Sequence, residues 1–162
     1  MIELYVLDVD GCISIPFQEP DWSAIEKIRN LNAASKTNPT IPPITLCTGR
    51  PQPYAECVAQ WLGIQLPFIF ESGGGMYQMG SNKLQFNPVI DQQAIQKVEK
   101  LKAKIEAEII PAYPEAYQEF TKHTDCGLVH PDSLAIRTIM PKMQRLMEEL
   151  QMHVISRLLL YH

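Results

Sequence analysis

The chain has 162 residues, 46% hydrophobic and 20% charged, with a formal net charge of −4. This length suits one or two compact units, each able to bury a core, and the composition is that of an ordinary globular protein. Lysines and arginines are scattered among acidic residues and the apolar runs fall far short of a bilayer span, which argues against nucleic acid and membranes as partners and for small-molecule chemistry.

The start, Met1-Ile2-Glu3-Leu4-Tyr5, carries neither a basic n-region nor a small-residue cleavage site, so the expected location is cytoplasmic. Ile2–Leu7 is a short apolar run with the character of a fully buried strand in a parallel sheet. It ends at Asp8-Val9-Asp10-Gly11. Ser23-Ala24-Ile25-Glu26 reads as a capping box opening a helix whose buried stripe is Ile25, Ile28 and Leu31. After Pro39, Pro42 and Pro43, a second buried strand, Ile44–Cys47, runs into Thr48-Gly49-Arg50. A second helix is predicted from near Pro53, burying Tyr54, Val58, Trp61 and Leu62 and ending at Gly63. Phe68–Phe70 is a third strand leading into Glu71-Ser72-Gly73-Gly74-Gly75, and the alternation on either side of Gly80-Ser81-Asn82 predicts a hairpin.

From Pro88 the pattern changes. Asp91 is placed to cap a long helix burying Ile95, Val98, Leu101, Ile105 and Ile109. Strands are predicted around Glu119–Thr121 and Cys126–Val129. Asp132–Leu150 carries a further helical stripe of Ile136, Met140, Met143, Met147 and Leu150, with Pro141 marking a kink or break. His153–Ile155 and Leu158–Leu160 read as strand. Cys12, Cys47, Cys57 and Cys126 lack C-x-x-C spacing and are expected to be reduced thiols, and His123, His130, His153 and His162 contain no i, i+4 ligand pair.

Three strands thus end in three polar loops, and open α/β sheets bind ligands outside the carboxyl ends of their strands. Asp8 and Asp10 bring two carboxylates to one turn. A calcium-loop reading fails, because such a loop needs glycine at its sixth position and flanking helices, whereas Gly11 is fourth and follows a strand. Thr48-Gly49-Arg50 offers a hydroxyl, backbone N–H groups and a nearby helix N-terminus, the ingredients of an anion site.

An apolar strand ending D-x-D-G and a second ending T-G-R, separated by one helix, resemble the first two motifs of the haloacid dehalogenase-like phosphatases. Glu71-Ser72-Gly73-Gly74 before a hairpin and a distinct α/β segment is similar to the capped sugar-phosphatase branch, which includes sucrose-phosphate, mannosyl-3-phosphoglycerate and Cof-type enzymes. The resemblance implies a Rossmann-like three-layer α/β core, here its N-terminal part over residues 1–87, and an inserted α/β cap over 88–162. It implies that Asp8 is the nucleophile and Asp10 the general acid and base, with Mg²⁺ held by the Asp8 carboxylate and the Asp10 carbonyl, and that Thr48 and Gly49 bind the phosphoryl group of a small phosphorylated substrate. Arg50, Glu71, Ser72, Gly73 and, loosely, Lys122 would lie on the substrate side, although Lys122 reads more simply as a solvated lysine.

Cys12 stands where the family usually has threonine. The lysine and the G-D-x-x-x-D-type acidic motif that the family places after its cap are missing, which implies a catalytic set that stops short. Two readings follow: a truncated sugar-phosphate phosphatase, or a non-catalytic module that binds a phosphorylated ligand or a partner protein. Missing core strands would also leave an unpaired sheet edge open to self-association.

Overall fold

The computed structural model describes residues 2–15, 18–119 and 121–152. The expected strand segments at 153–155 and 158–160 lie outside them. Contacts divide the chain into two units, Met1–Pro88 and Val89–His162.

In the first unit, strand β1 (Tyr5–Leu7) pairs in parallel with β2 (Ile44–Leu46), in the register Tyr5 to Ile44 and Leu7 to Leu46. Parallel neighbours need a crossover, supplied by helix α1 (Trp22–Ser35). A bridge between Cys47 and Ile69 joins β2 to β3 (Phe68–Phe70), which continues antiparallel into β4 (Gly75–Gln78) and β5 (Lys83–Phe86). Helix α2 (Gln52–Trp61) packs on β2 and β3. The core gathers Val9, Ile25, Leu46, Val58, Leu62, Ile64, Phe68 and Phe70, all buried. Each such large side chain contributes about 1.5–3 kcal/mol when removed from water.

Several local expectations are corrected. The N-cap of α1 is Asp21, whose Oδ1 accepts from Ala24 N–H at 3.0 Å, so the helix begins before Ser23 and the Ser23/Glu26 box does not set its start. Leu31 is 47% exposed, and the neighbouring Asn32 takes the inward position. Asn32 Nδ2 donates to Leu62 O at 3.0 Å and its Oδ1 accepts from Ile44 N–H at 2.8 Å, which fastens α1 both to the end of α2 and to the start of β2. The largest correction concerns β1. Tyr5 is 46% and Val6 53% exposed, so the strand is not buried on both faces.

The second unit has its own core. Helix α3 (Gln92–Glu108) starts at its N-cap Asp91, whose side chain accepts from Ala94 N–H, and buries Val98, Leu101 and Ile105. Strands β6 (Tyr117–Gln118) and β7 (Leu128–Val129) form a two-stranded antiparallel sheet, shorter than and offset from the expected segments. Helix α4 (Ser133–Glu149) runs through Pro141 without breaking. Its buried line is Ile139, Met143 and Leu146, rotated from the expected stripe, so that Ile136, Met140 and Met147 lie at its margin. Ile139, Met143 and Leu146 pack with Leu101, Ile105 and Ile109. No helix among the described residues is long and apolar enough to cross a membrane.

All four cysteines are free, with Cys12 and Cys57 exposed. Burial, reinforced by the nearby Asp125 carboxylate, pushes the Cys126 thiol up to about 11. At pH 8 only about one Cys126 in a thousand is then thiolate, and the thiolate is the reactive form. Mass-spectrometric mapping after brief alkylation at pH 8 is expected to label Cys12 and Cys57 and to find Cys126 modified only after denaturation; equal labelling of Cys126 in the native chain would contradict this environment.

Candidate functional site

The turn after β1 is built around Val9. Its side chain is fully buried, and its carbonyl accepts from the N–H groups of Cys12, Ile13 and Ser14 at 3.3, 2.9 and 3.0 Å. Because successive residues of an extended chain point to opposite sides, an inward Val9 turns Asp8 and Asp10 outward together. Gly11, at φ 76°, permits the chain to fold back so that its N–H donates to Ser14 O at 2.8 Å. Asp8 is exposed, and its Oδ1 accepts from Val9 N–H at 2.7 Å.

The loop after β2 lies directly beside this turn. Cys47 N–H donates to Leu7 O at 2.8 Å, carrying the β1–β2 pairing up to the two loops. Thr48 is buried, and its Oγ1 accepts from Arg50 N–H at 3.2 Å, which shapes the T-G-R turn. Arg50 reaches across to Asp10 as a fork, with Nε donating to Oδ2 at 2.7 Å and Nη2 to Oδ1 at 2.8 Å. Two parallel charge-assisted bonds of this kind fix both side chains in place. The guanidinium also lies over the Tyr54 ring, 4.9 Å from its centroid. Tyr54 was expected among the buried residues of α2; it sits instead at 36% exposure, where it supports Arg50.

The third loop closes on the second. Thr48 N–H donates to Ile69 O at 3.1 Å, Ser72 N–H to Thr48 O at 3.0 Å and Glu71 N–H to Arg50 O at 3.0 Å. Glu71 and Ser72 adopt left-handed φ of 48° and 55°, followed by Gly73 at 98°. For non-glycine residues that region costs about 1–2 kcal/mol each, offset here by the bonds that hold the loop against Thr48 and Arg50. Gly49 is close-packed, since a Cβ there would stand 3.2 Å from Ser72 Oγ. Asn87, absent from the sequence reading, straps the same loop: its side chain donates to Gly73 O at 3.1 Å and its N–H to Gly74 O at 2.9 Å.

Asp8, Asp10, Thr48, Gly49, Arg50, Glu71, Ser72 and Gly73 therefore lie in one set of three adjoining loops. Lys122 belongs to the second unit and is not solvated. It is 7% exposed, with Nζ 2.8 Å from Glu119 Oε2 and 3.1 Å from Asp125 Oδ2. Burial acts to lower its pKa, but Asp125 and Glu119 outweigh that and raise it above the ordinary lysine value. Its carbonyl accepts a hydrogen bond from Lys102 Nζ. The expected solvated lysine is thus the centre of an internal ion-pair cluster, formed by acids three residues away on either side in irregular chain.

The donors beside Asp8 are hard oxygens of the kind Mg²⁺ prefers. The backbone bonds of the first turn run to the Val9 and Ser14 carbonyls. Among the described residues no group of three or more His, Cys, Asp or Glu side chains assembles into a metal site. A Mg²⁺ ion here would draw on the Asp8 carboxylate and would take most of its other ligands from water.

No family model matches the sequence, and no curated protein matches it. Solved structures do, and they define the class of fold. The chain has the mixed α/β fold of haloacid dehalogenase-like hydrolases, being similar to one from Bacteroides thetaiotaomicron at TM-score 0.50 and 15% identity, over 97% of this chain and 52% of that one. It is similar to Thermoplasma acidophilum protein 0175 at TM-score 0.63 and 18% identity, over 90% of this chain and 58% of that one. The C-terminal domain of trehalose-6-phosphate phosphatase from C. albicans matches at TM-score 0.60 and 17% identity, over 91% and 49%. The chain spans about half the length of these structures.

Proposed function

We propose that the chain is the nucleophile-bearing part of a Mg²⁺-dependent phosphatase acting on a small phosphate monoester, with a sugar phosphate as the substrate class. The observation that carries this reading is the meeting of the three strand-end loops, in which Asp8 and Asp10 share one turn and Arg50 grips Asp10 from the next. Likeness in fold to a trehalose-6-phosphate phosphatase domain supports the substrate class.

In this reading the free Asp8 oxygen attacks phosphorus, forming an aspartyl phosphate as the bond to the leaving alcohol breaks. Asp10, released from Arg50 and protonated, gives its proton to that alcohol, then takes one from the water that attacks the acyl phosphate, regenerating Asp8 and releasing orthophosphate. The Thr48 hydroxyl, whose oxygen accepts from Arg50 N–H, keeps its own proton to donate to a phosphoryl oxygen. The Asp8 carboxylate and the Asp10 carbonyl would hold Mg²⁺, which would supply charge shielding between nucleophile and phosphate. The unit from Val89 onward serves as the cap that selects the substrate.

A specific observation favours the second reading, a module that binds a phosphorylated ligand without turning it over. Among the described residues no group of three or more acidic, histidine or cysteine side chains could hold a metal; of the acids in these loops Glu71 is buried and Asp10 is engaged by Arg50. Electrostatic stabilisation carries most of phosphoryl-transfer catalysis, so turnover by this chain is expected near background.

Beryllofluoride, which mimics an acyl phosphate on a carboxylate, tests the nucleophile apart from turnover. With excess Mg²⁺ it is expected to stabilise the first unit by about 1–1.5 kcal/mol at tenfold saturation, raising its melting temperature by roughly 4–10 °C. Asp8→Asn should abolish the shift. An equal shift in both proteins, or none in either, rejects Asp8 as the phosphoryl acceptor.

A further inference from the structure

We propose that Tyr54 is a positioning residue of this site: its ring holds the Arg50 guanidinium at the meeting of the loops, where Arg50 grips Asp10 and receives the anionic group of a ligand. The contact stands on geometry alone, and its consequence for the ligand rests on the phosphatase reading above.

Arg50 and Tyr54 flank the start of α2. Arg50 precedes Pro51, and a residue before proline is pushed towards extended backbone, which keeps the helix from starting earlier than Gln52. Its main chain is tied on both sides, the N–H donating to Thr48 Oγ1 at 3.2 Å and the carbonyl accepting from Glu71 N–H at 3.0 Å. In the first turn of α2, Ala55 is fully buried and its N–H donates to Pro51 O at 3.1 Å. The neighbouring Tyr54 therefore projects from the margin of the helix and meets the guanidinium there, 4.9 Å from its ring centroid.

Anchoring the main chain does not place the tip. An arginine side chain has several free torsions, and an ion pair open to water is a weak restraint on so long a group. Both side chains of the fork are partly open, Arg50 at 18% and Asp10 at 19% exposure. The Tyr54 ring attracts the cation through its π face, whereas the fork uses Nε and Nη2, so the two contacts do not compete. This matters when Asp10 leaves. In the proposed reaction Asp10 is released to carry a proton, and Arg50 then loses that partner. Held on Tyr54, the guanidinium stays where phosphoryl oxygens can meet it, and the ordering of a long side chain is completed before the ligand arrives.

Two measurements test this. In a proton–nitrogen spectrum the Arg50 Nε–Hε signal, assigned by its loss in Arg50→Lys, is expected to exchange slowly with water in the wild-type chain and in Tyr54→Phe. In Tyr54→Leu it should exchange about two- to fivefold faster, the factor that a cation–π contact at an exposed position supplies. Inorganic phosphate, titrated with Mg²⁺ present and followed by its phosphorus line width, should bind about two- to fivefold more weakly to Tyr54→Leu and as tightly to Tyr54→Phe as to the wild type. Exchange indifferent to Tyr54→Leu overturns the proposal. So does a Tyr54→Phe chain that behaves like Tyr54→Leu, since the ring would then not be the agent, or a measurable phosphate affinity equal in all three chains. A wild-type chain that binds no phosphate, while Arg50 exchange still follows Tyr54, rejects the phosphatase reading and leaves the positioning contact standing.

Discussion

Replacing Asn32 with leucine is expected to destabilise the first unit by about 3 kcal/mol, because a buried donor or acceptor left without a partner costs about 1–3 kcal/mol and this change strands two. The amide of Asn32 is the partner of both Leu62 O and Ile44 N–H, and the residue is only 5% exposed, so water does not replace it. Leucine fills the space without supplying either bond. For a unit of about this size the melting temperature should fall by roughly 12–24 °C. Asn30→Ala, an exposed position on the same helix, should change stability by no more than about 0.5 kcal/mol. Thermal or urea denaturation decides the matter, and a loss below about 1 kcal/mol for the leucine variant would mean that the two bonds are not what anchors α1.

The second large effect is expected at Gly75. A Cβ there would lie 2.3 Å from Phe70 Cζ and within 2.9 Å of both neighbouring ring carbons. Phe70 is fully buried and its ring stands edge-on to Phe86, 6.3 Å between centroids, so it has little room to yield. Overpacking a core commonly costs about 1–3 kcal/mol, and Gly75→Val should reach or pass the top of that range. Gly80→Ala, where nothing lies within 4 Å, should be nearly neutral. Phe70→Leu combined with Gly75→Ala should be less damaging than the sum of the two single changes, since the smaller side chain vacates the space the methyl needs. Strict additivity in that cycle would show that the clash is relieved elsewhere. Glu71 follows Phe70 directly, so the same substitution should also disturb the loop that closes on Thr48.

The strands of the first unit, the hairpin around Gly80–Asn82 and the cap of α3 by Asp91 were legible because each is fixed by local chemistry: apolar runs, turn residues, an N-cap side chain. What the sequence hid was long-range. An apolar run such as Ile2–Leu7 has the residue pattern of a buried strand, but burial depends on which elements cover it, and none of that is written in the run itself. The N-cap of α1 was misplaced because Asp21 and Ser23 are both good caps two residues apart, and Asp21 engages Ala24 first. In α4 the apolar residues are numerous enough to define two overlapping stripes. The packed one follows Ile139, Met143 and Leu146, which join the α3 residues in one core, and leaves Met140 and Met147 at the edge. Lys122 has no periodic signature, and its burial arises from a tight loop with acids on both sides.

At the candidate site, D-x-D-G and T-G-R were readable as separate motifs at strand ends. Their union was not: the Arg50–Asp10 fork spans forty positions, and neither residue's neighbours announce it. Tyr54 and Asn87 escaped for a similar reason. Each acts on another loop through its polar or aromatic tip, while its place in the sequence suggested only a helix face or a strand end.

The Arg50–Asp10 fork also means that the loops carry their own counterion. An incoming anion that engages Arg50 is exchanged for a carboxylate and not simply added, so its gain is the difference between two contacts of similar kind. For a monoanion that difference is near zero. A dianion brings a second charge that Asp10 cannot match, and the displaced carboxylate then faces it unless it takes up a proton or a cation comes to lie between them. Entry of a doubly charged ligand would thereby be coupled to uptake of positive charge.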